Sequence, residues 1–251
     1  MSFFDVEAMT EYATRVTPPK LTGITEHEPK IRLRPRDGPW WVWKTPVRGL
    51  EPHRYIVGVD VASGTANDYS AVQIVDVEEF EQVAEFQSQI EPALLAVEVY
   101  RMATIYNEAL VAPEITGGWG FTIVSELQRL KYPRLYTRPV FDRLNRKWTD
   151  ALGWDTTSKS RAVMLDTLER VLREMEFCLH SPRCLTEMTS FVWPQVKHGD
   201  GPFRGIPQAQ PGANDDLVMA LAIAVTLASQ RPRQLREPIR TDRVPELVTG
   251  Y

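Results

Sequence analysis

Tyr55-Ile-Val-Gly-Val-Asp60-Val-Ala-Ser-Gly-Thr-Ala-Asn-Asp68-Tyr-Ser is the stretch on which the reading of this chain turns. Its apolar run reads as a buried strand, Tyr55–Val59, that ends abruptly in a carboxylate. A second carboxylate follows across a glycine-containing turn. An acid at the lip of a sheet must be paired, hydrated or bound to metal. Two more acidic sites fall in similar settings. Glu114 follows the apolar run Ala109-Leu-Val-Ala-Pro, and Asp215-Asp216 open the apolar helical stretch from Leu217 to Ala228. Three acidic sites at the ends of buried elements, far apart in sequence, point to convergence on one divalent-metal centre.

Outward from Tyr55 the pattern gives further elements. Strands are predicted over Ser70–Val77 and Gln82–Ile90, then a helix opened by Pro92, a fourth strand at Ala109–Ala112 and a helix over Phe121–Leu130. Leu135–Thr137 reads as a fifth strand. Thr156 or Thr157 caps a long helix whose Val163, Leu165, Leu168, Val171, Leu172 and Met175 recur at helical spacing. Ser181-Pro182 opens a short helix to about Ser190, and Phe191–Val196 with Phe203–Ile206 reads as a hairpin around His198-Gly199-Asp200-Gly201. The final helix, Asp215–Ser229, is apolar enough to be buried against the sheet. This order predicts an α/β fold, a ribonuclease H-like mixed sheet flanked by helices on both faces, occupying residues 51–230. Residues 1–50 hold six prolines and read as an N-terminal arm or linker, with an edge strand at Trp41-Val42-Trp43-Lys44. Residues 231–251 read as a basic, Pro-containing tail.

Composition excludes several classes. The 251 residues are 43% hydrophobic and 25% charged, ordinary for a globular protein and unlike a disordered one. No apolar run approaches the length needed to cross a bilayer, and the N-terminus has no secretory pattern. The two cysteines, Cys178 and Cys184, fit no zinc spacing and read as reduced, buried thiols of a cytosolic protein; His180 and His198 read as structural or exposed. A net charge of −4 does not advertise nucleic acid, but nine Lys or Arg stand against three Asp between Arg129 and Arg161. An acidic pocket with basic flanks suits a metal-dependent nuclease, because bound metal reverses the sign of the pocket while the flanks hold phosphates. Arg143, Arg146, Lys147, Lys159 and Arg161 are the candidate DNA contacts, and solvated faces explain each of them equally well.

In the predicted fold the ends of the first and fourth strands lie side by side. Asp60 and Glu114 become neighbours, and the start of the last helix brings Asp215 or Asp216 alongside. Three carboxylates can hold two Mg²⁺ or Mn²⁺ ions roughly 3.5–4 Å apart for phosphodiester hydrolysis. Hard oxygen donors favour these ions over zinc. Each acid also has a bland reading. Asp68 fits an Asx turn beside Asn67 as well as it fits a ligand. Glu114 suits a helix N-terminus, and Asp215 and Asp216 suit a cap and a first-turn acid. Their joint occurrence in this topological order favours the metal site.

The motifs carrying these acids resemble those of a known family. Val-Gly-Val-Asp60-Val-Ala-Ser-Gly with Asp68-Tyr-Ser-Ala is similar to the first acidic motif of the large terminase nuclease domain of tailed bacteriophages. Pro113-Glu114-Ile-Thr-Gly-Gly-Trp-Gly resembles its second, and Gly212-Ala-Asn-Asp215-Asp216-Leu-Val-Met-Ala its third. Gly153-Trp154-Asp-Thr-Thr-Ser-Lys159-Ser-Arg161 is similar to the family's Gly-Trp…Thr…Lys segment. The resemblance implies an endodeoxyribonuclease that cuts concatemeric viral DNA during packaging. Asp60, Glu114 and Asp215 would be catalytic metal ligands, with Asp68 and Asp216 accessory. It also implies double-stranded DNA as substrate; a packaging ATPase domain, portal and small terminase subunit as partners; no membrane; and the cytoplasm of the infected host cell as the location. No Gly-x-x-x-x-Gly-Lys-Ser/Thr loop occurs, so the chain itself is not expected to drive translocation.

Three rivals share parts of this pattern. An actin-like nucleotide-binding protein also places an Asp and a Gly-Thr turn after its first strand, but a second phosphate loop and an adenosine motif are not evident. A resolvase or transposase of the same fold lacks the terminase-like details. A non-catalytic DNA clamp or portal-docking module gains nothing from intact carboxylates.

Overall fold

The protein is described by a computed structural model over residues 1–27, 30–47, 54–64, 68–194 and 205–231. Helix α1 (Val6–Arg15) comes first, followed by strands β1 (Leu21–Glu26), β2 (Arg32–Pro35) and β3 (Trp40–Val42). The meander β4 (Tyr55–Asp60), β5 (Ser70–Asp76) and β6 (Glu81–Ser88) leads through α2 (Pro92–Ile105) to β7 (Leu110–Pro113) and α3 (Trp119–Arg129). Strands β8 (Thr137–Asp142) and β9 (Lys147–Leu152) precede α4 (Ser158–Arg173) and α5 (Pro182–Thr189). The short strands β10 (Phe191–Val192) and β11 (Gln208–Ala209) come before α6 (Asp216–Ser229).

Seven strands form one mixed sheet in the order β2-β1-β3-β6-β5-β4-β7, in which β4 and β7 are the parallel pair. β5 is buried along its whole length, as a central strand covered on both faces must be. One core lies between the sheet and α2 and α3, built on Val57, Val59, Val72, Leu95, Val99 and Leu127. The other lies under α1, α4, α5 and α6. Every residue of α6 from Leu217 to Ala228 is buried, which is why it carries no polar face. Thr157 caps α4 in a reciprocal box with Ser160, and Ser181 caps α5 through the Cys184 amide.

The segment that the sequence sets apart as an arm adds a helix and three strands to this architecture. The stretch expected as an edge strand is interior: β3 lies between β1 and β6. Trp40 is fully buried against Phe86, and its indole N–H donates to Glu98 at 2.8 Å. The prolines do not prevent this, because Pro39 lies just before β3 and Pro35 ends the outermost strand, where no ladder bond is lost.

Other expectations shift locally. Leu135 makes a single parallel bridge to Val111, after which the chain leaves the sheet as the β8–β9 hairpin. Val163 is 51% exposed, and Met164 takes its expected place in the core. Cys184 is buried but Cys178 is exposed. β10 pairs antiparallel with β11 at Gln208–Ala209 and not with the strand expected at Phe203–Ile206, whose described residues Gly205 and Ile206 are not in a strand. The expected glycine-rich turn with His198 and the tail beyond Arg231 lie outside the described residues. No described helix is long and apolar enough to cross a membrane.

Candidate metal centre

The parallel pairing of β4 and β7 fixes the first two acids. Val59 is in register with Pro113, and the Glu114 amide donates to the Val59 carbonyl at 2.9 Å. Asp60 and Glu114 therefore emerge together at the C-terminal ends of adjacent parallel strands, where open α/β sheets place their sites. Gly120 lets α3 start close by, since a Cβ there would lie 1.7 Å from the Glu114 carbonyl oxygen.

Alternation along β4 aims Asp60. Gly58, two residues earlier and so on the same face, lies directly beneath α6. A Cβ on Gly58 would sit 2.1 Å from the carbonyl oxygen of Ala220. The helix runs close over β4, and the charges of Asp215 and Asp216 at its start reach the Asp60 carboxyl. Asp60 retains some contact with solvent, yet protein packed around its carboxyl is the first cause of a pKa well above the ordinary range. The charges of Glu114, Asp216 and Asp215 push in the same direction, and the Asp60 carboxyl shares a hydrogen bond with Glu114.

Asp216 is pushed up to about 7, by burial first and then by Asp215 and Asp68. Asp68 is exposed; its Oδ2 accepts from the Ser63 amide at 3.3 Å and lies 3.4 Å from the Ser63 hydroxyl. Thr65, Ala66 and Asn67 of the intervening turn lie outside the described residues. Asp215 occupies the N-cap position of α6 but makes no capping bond with its side chain. Its Oδ2 instead accepts from the Arg161 guanidinium at 3.0 Å.

The capping role falls to Glu187 of α5, a residue the sequence reading missed. Its Oε2 accepts the amides of Leu217 at 2.8 Å and Val218 at 3.3 Å, while its Oε1 accepts from Gln87 of β6 at 2.8 Å. Burial first, then the charge of Asp216, raises Glu187 to about 7. A signal was present: Glu187 lies three residues after buried Cys184, on the apolar side of its helix.

Asp60, Glu114, Asp215 and Asp216 thus act on one another's charge, with Asp68 acting on Asp216 from the rim. Among the described residues, Arg161 is the one side-chain cation paired with them. The Gly153-Trp154 segment flanks the site by pairing with the end of β7, Trp154 donating to Pro113 at 2.7 Å. Lys159 is exposed at the start of α4. Arg143, Arg146 and Lys147 are not drawn into the cluster; they occupy the exposed end of the β8–β9 hairpin. An all-oxygen donor set whose members repel one another suits a hard divalent cation such as Mg²⁺ or Mn²⁺.

No known family's sequence profile matches the chain. Its fold is nevertheless similar to that of the large terminase nuclease from the thermophilic phage G20c with bound magnesium. The two are 15% identical with a TM-score of 0.62, over 90% of this chain and 98% of that one. The same nuclease with bound cobalt gives 16% identity and a TM-score of 0.63, over 90% and 98%. The large terminase nuclease domain of Thermus phage P74-26 is 14% identical, with a TM-score of 0.62 over 91% and 99%. The chain therefore has the mixed-sheet, ribonuclease H-like fold of large terminase nucleases.

Proposed function

We propose that this chain is a metal-dependent endodeoxyribonuclease that cuts concatemeric viral genomes during packaging. The observation that supports this most is the meeting of Asp60, Glu114, Asp215 and Asp216, with Asp60 held far above its ordinary pKa by burial and by its acidic neighbours. A divalent cation relieves such repulsion. The likeness to phage nucleases, one of them with bound magnesium, points the same way.

In this reading Asp60, Glu114 and Asp215 hold the catalytic cation, and Asp68 and Asp216 are accessory. Two Mg²⁺ or Mn²⁺ ions bound there would supply the Lewis acidity that activates water and stabilises the leaving oxygen. The chain's own part is preorganisation. The β4–β7 pairing holds two acids rigidly, and Glu187 fixes the first turn of α6. Arg161 turns from Asp215 to a DNA phosphate, and Arg143, Arg146, Lys147 and Lys159 hold the duplex by its backbone. A packaging ATPase domain, the portal and a small terminase subunit would present the DNA, in the cytoplasm of the infected host cell.

Cleavage of supercoiled plasmid with Mg²⁺, Mn²⁺ or EDTA, beside Asp60→Ala, tests the reading. Metal-dependent nicking or linearisation that the variant lacks is the expected result. Cutting by the variant at the parent's rate, or none by the parent with either metal, would overturn it.

A further inference from the structure

A second group of donors lies at the other end of the sheet. Glu81 opens β6 and is in register with Asp76 of β5, itself in register with Tyr55, the first residue of β4. At a strand rise of about 3.3 Å per residue, that places Glu81 some 17 Å along the strands from Asp60. Residues 178–180 run parallel to the start of β6: the Cys178 amide donates to Phe80, and its carbonyl accepts from Gln82, both at 3.0 Å. Cys178 and His180 alternate onto one face, and Glu81, paired with Cys178, joins them there.

The three donor atoms lie within 4.8 Å of one another. His180 Nε2 is 3.1 Å from Glu81 Oε2 and 3.7 Å from Cys178 Sγ. Zinc bonds of about 2.0–2.3 Å directed to the corners of a tetrahedron put donors roughly 3.3–3.6 Å apart, so these groups need little movement. The imidazole is already held: Trp43 stacks on it at 6.1 Å, and the His180 amide donates to Gln82 Oε1 at 3.0 Å. Lys44 occupies the other oxygen of Glu81, at 2.5 Å, and leaves Oε2 facing the group. Cys178 is exposed, which gives an ion a way in.

We propose that Glu81, Cys178 and His180 form a zinc site with water in the fourth position, separate from the carboxylate cluster and chemically distinct from it. Sulfur and imidazole donors select zinc where the all-oxygen cluster selects magnesium or manganese. A thiolate and a carboxylate neutralise the ion, and Lys44, paired with Glu81, adds positive charge beside it. The bound ion would clip the 178–180 segment to the start of β6.

Cobalt(II) titrated into the full chain tests this without reference to cleavage. A thiolate-to-cobalt charge-transfer band in the near ultraviolet is expected, which carboxylate ligands do not give. It should be displaced by Zn²⁺, lost in Cys178→Ser and weakened in His180→Ala, with circular dichroism checking that both variants are folded. No band in the parent protein would overturn the site, as would a band that survives in Cys178→Ser. Loss of plasmid cleavage bears on the carboxylate centre and leaves this readout unchanged.

Discussion

Glu187 Oε2 accepts the backbone amide of Leu217 at 2.8 Å, so a side chain from α5 caps the helix that carries Asp215 and Asp216. The helix start is thereby tied to a neighbouring element and, through Gln87, to β6. Glu187→Ala strands two buried amides, at a cost of about 1–3 kcal/mol of stability. The freed turn should lower Mn²⁺ affinity or cleavage by roughly 10–100-fold, the usual effect of losing a group that orients ligands. Glu187→Gln keeps an acceptor oxygen and should recover much of both. Urea unfolding and Mn²⁺ titration read the two effects, and equal affinity in Glu187→Ala and the parent would refute the positioning role.

What the sequence reveals of this site follows from the physics of each element. Asp60, Glu114 and Asp215-Asp216 stand out because each interrupts or opens an apolar run, and burial of the run makes the acid conspicuous. Glu187 does not stand out, because a glutamate in a mixed helix is common and its partners are backbone amides thirty residues away. The β8–β9 hairpin was missed for the opposite reason. Its side chains are largely exposed, as at Phe141 and Trp148, so neither of its strands shows an alternating buried face. Strand β3 was legible as a strand but not as an interior one, since only its pairing with β6 places it there. Cys178 and His180 gain meaning only from Glu81 on a neighbouring strand.

Gly58 tests how closely α6 must approach. Gly58→Ala drives a methyl to 2.1 Å from the Ala220 carbonyl oxygen, with backbone rather than a flexible side chain in the way. The helix must lift, at a cost of about 1–3 kcal/mol. Because the same helix carries Asp215 and Asp216, Mg²⁺ affinity should fall together with the melting temperature. A variant that loses stability but binds the metal as before would show that α6 is not placed by this contact.

Acidity gives a further check. Asp216 and Glu187 are both raised to about 7, whereas in the unfolded chain such groups ionise near pH 4. The folded, metal-free protein therefore holds protons that the unfolded chain has released. The stability linked to these groups is fully present below about pH 4 and is lost as pH rises through about 7. Asp60, raised for the same reasons, acts in the same direction. Asp216→Asn should flatten the fall in melting temperature over this range in EDTA. Metal binding must displace these protons, so affinity should rise with pH through neutrality. Melting curves from pH 4 to 8, with EDTA or Mg²⁺, check both, and parallel pH profiles for Asp216→Asn and the parent would count against the assignment.

Arg161 separates metal binding from DNA binding. Its guanidinium, 3.0 Å from Asp215 Oδ2, competes with any cation for that oxygen. Arg161→Ala should therefore tighten Mn²⁺ binding in the absence of DNA, while weakening cleavage if the same group must hold a phosphate. The exposed Arg143, Arg146 and Lys147 make the contrasting case, because nothing ties them to the carboxylates. Replacing all three with Ala should leave metal affinity alone and reduce the dependence of log K for DNA on log salt by up to about 0.9 per lost phosphate contact. Metal titration without DNA, beside fluorescence anisotropy of a labelled duplex across a salt series, distinguishes the two. An unchanged salt slope in the triple variant would remove the hairpin from the DNA-binding surface, and unchanged metal affinity in Arg161→Ala would mean that its pairing with Asp215 does not compete with the ion.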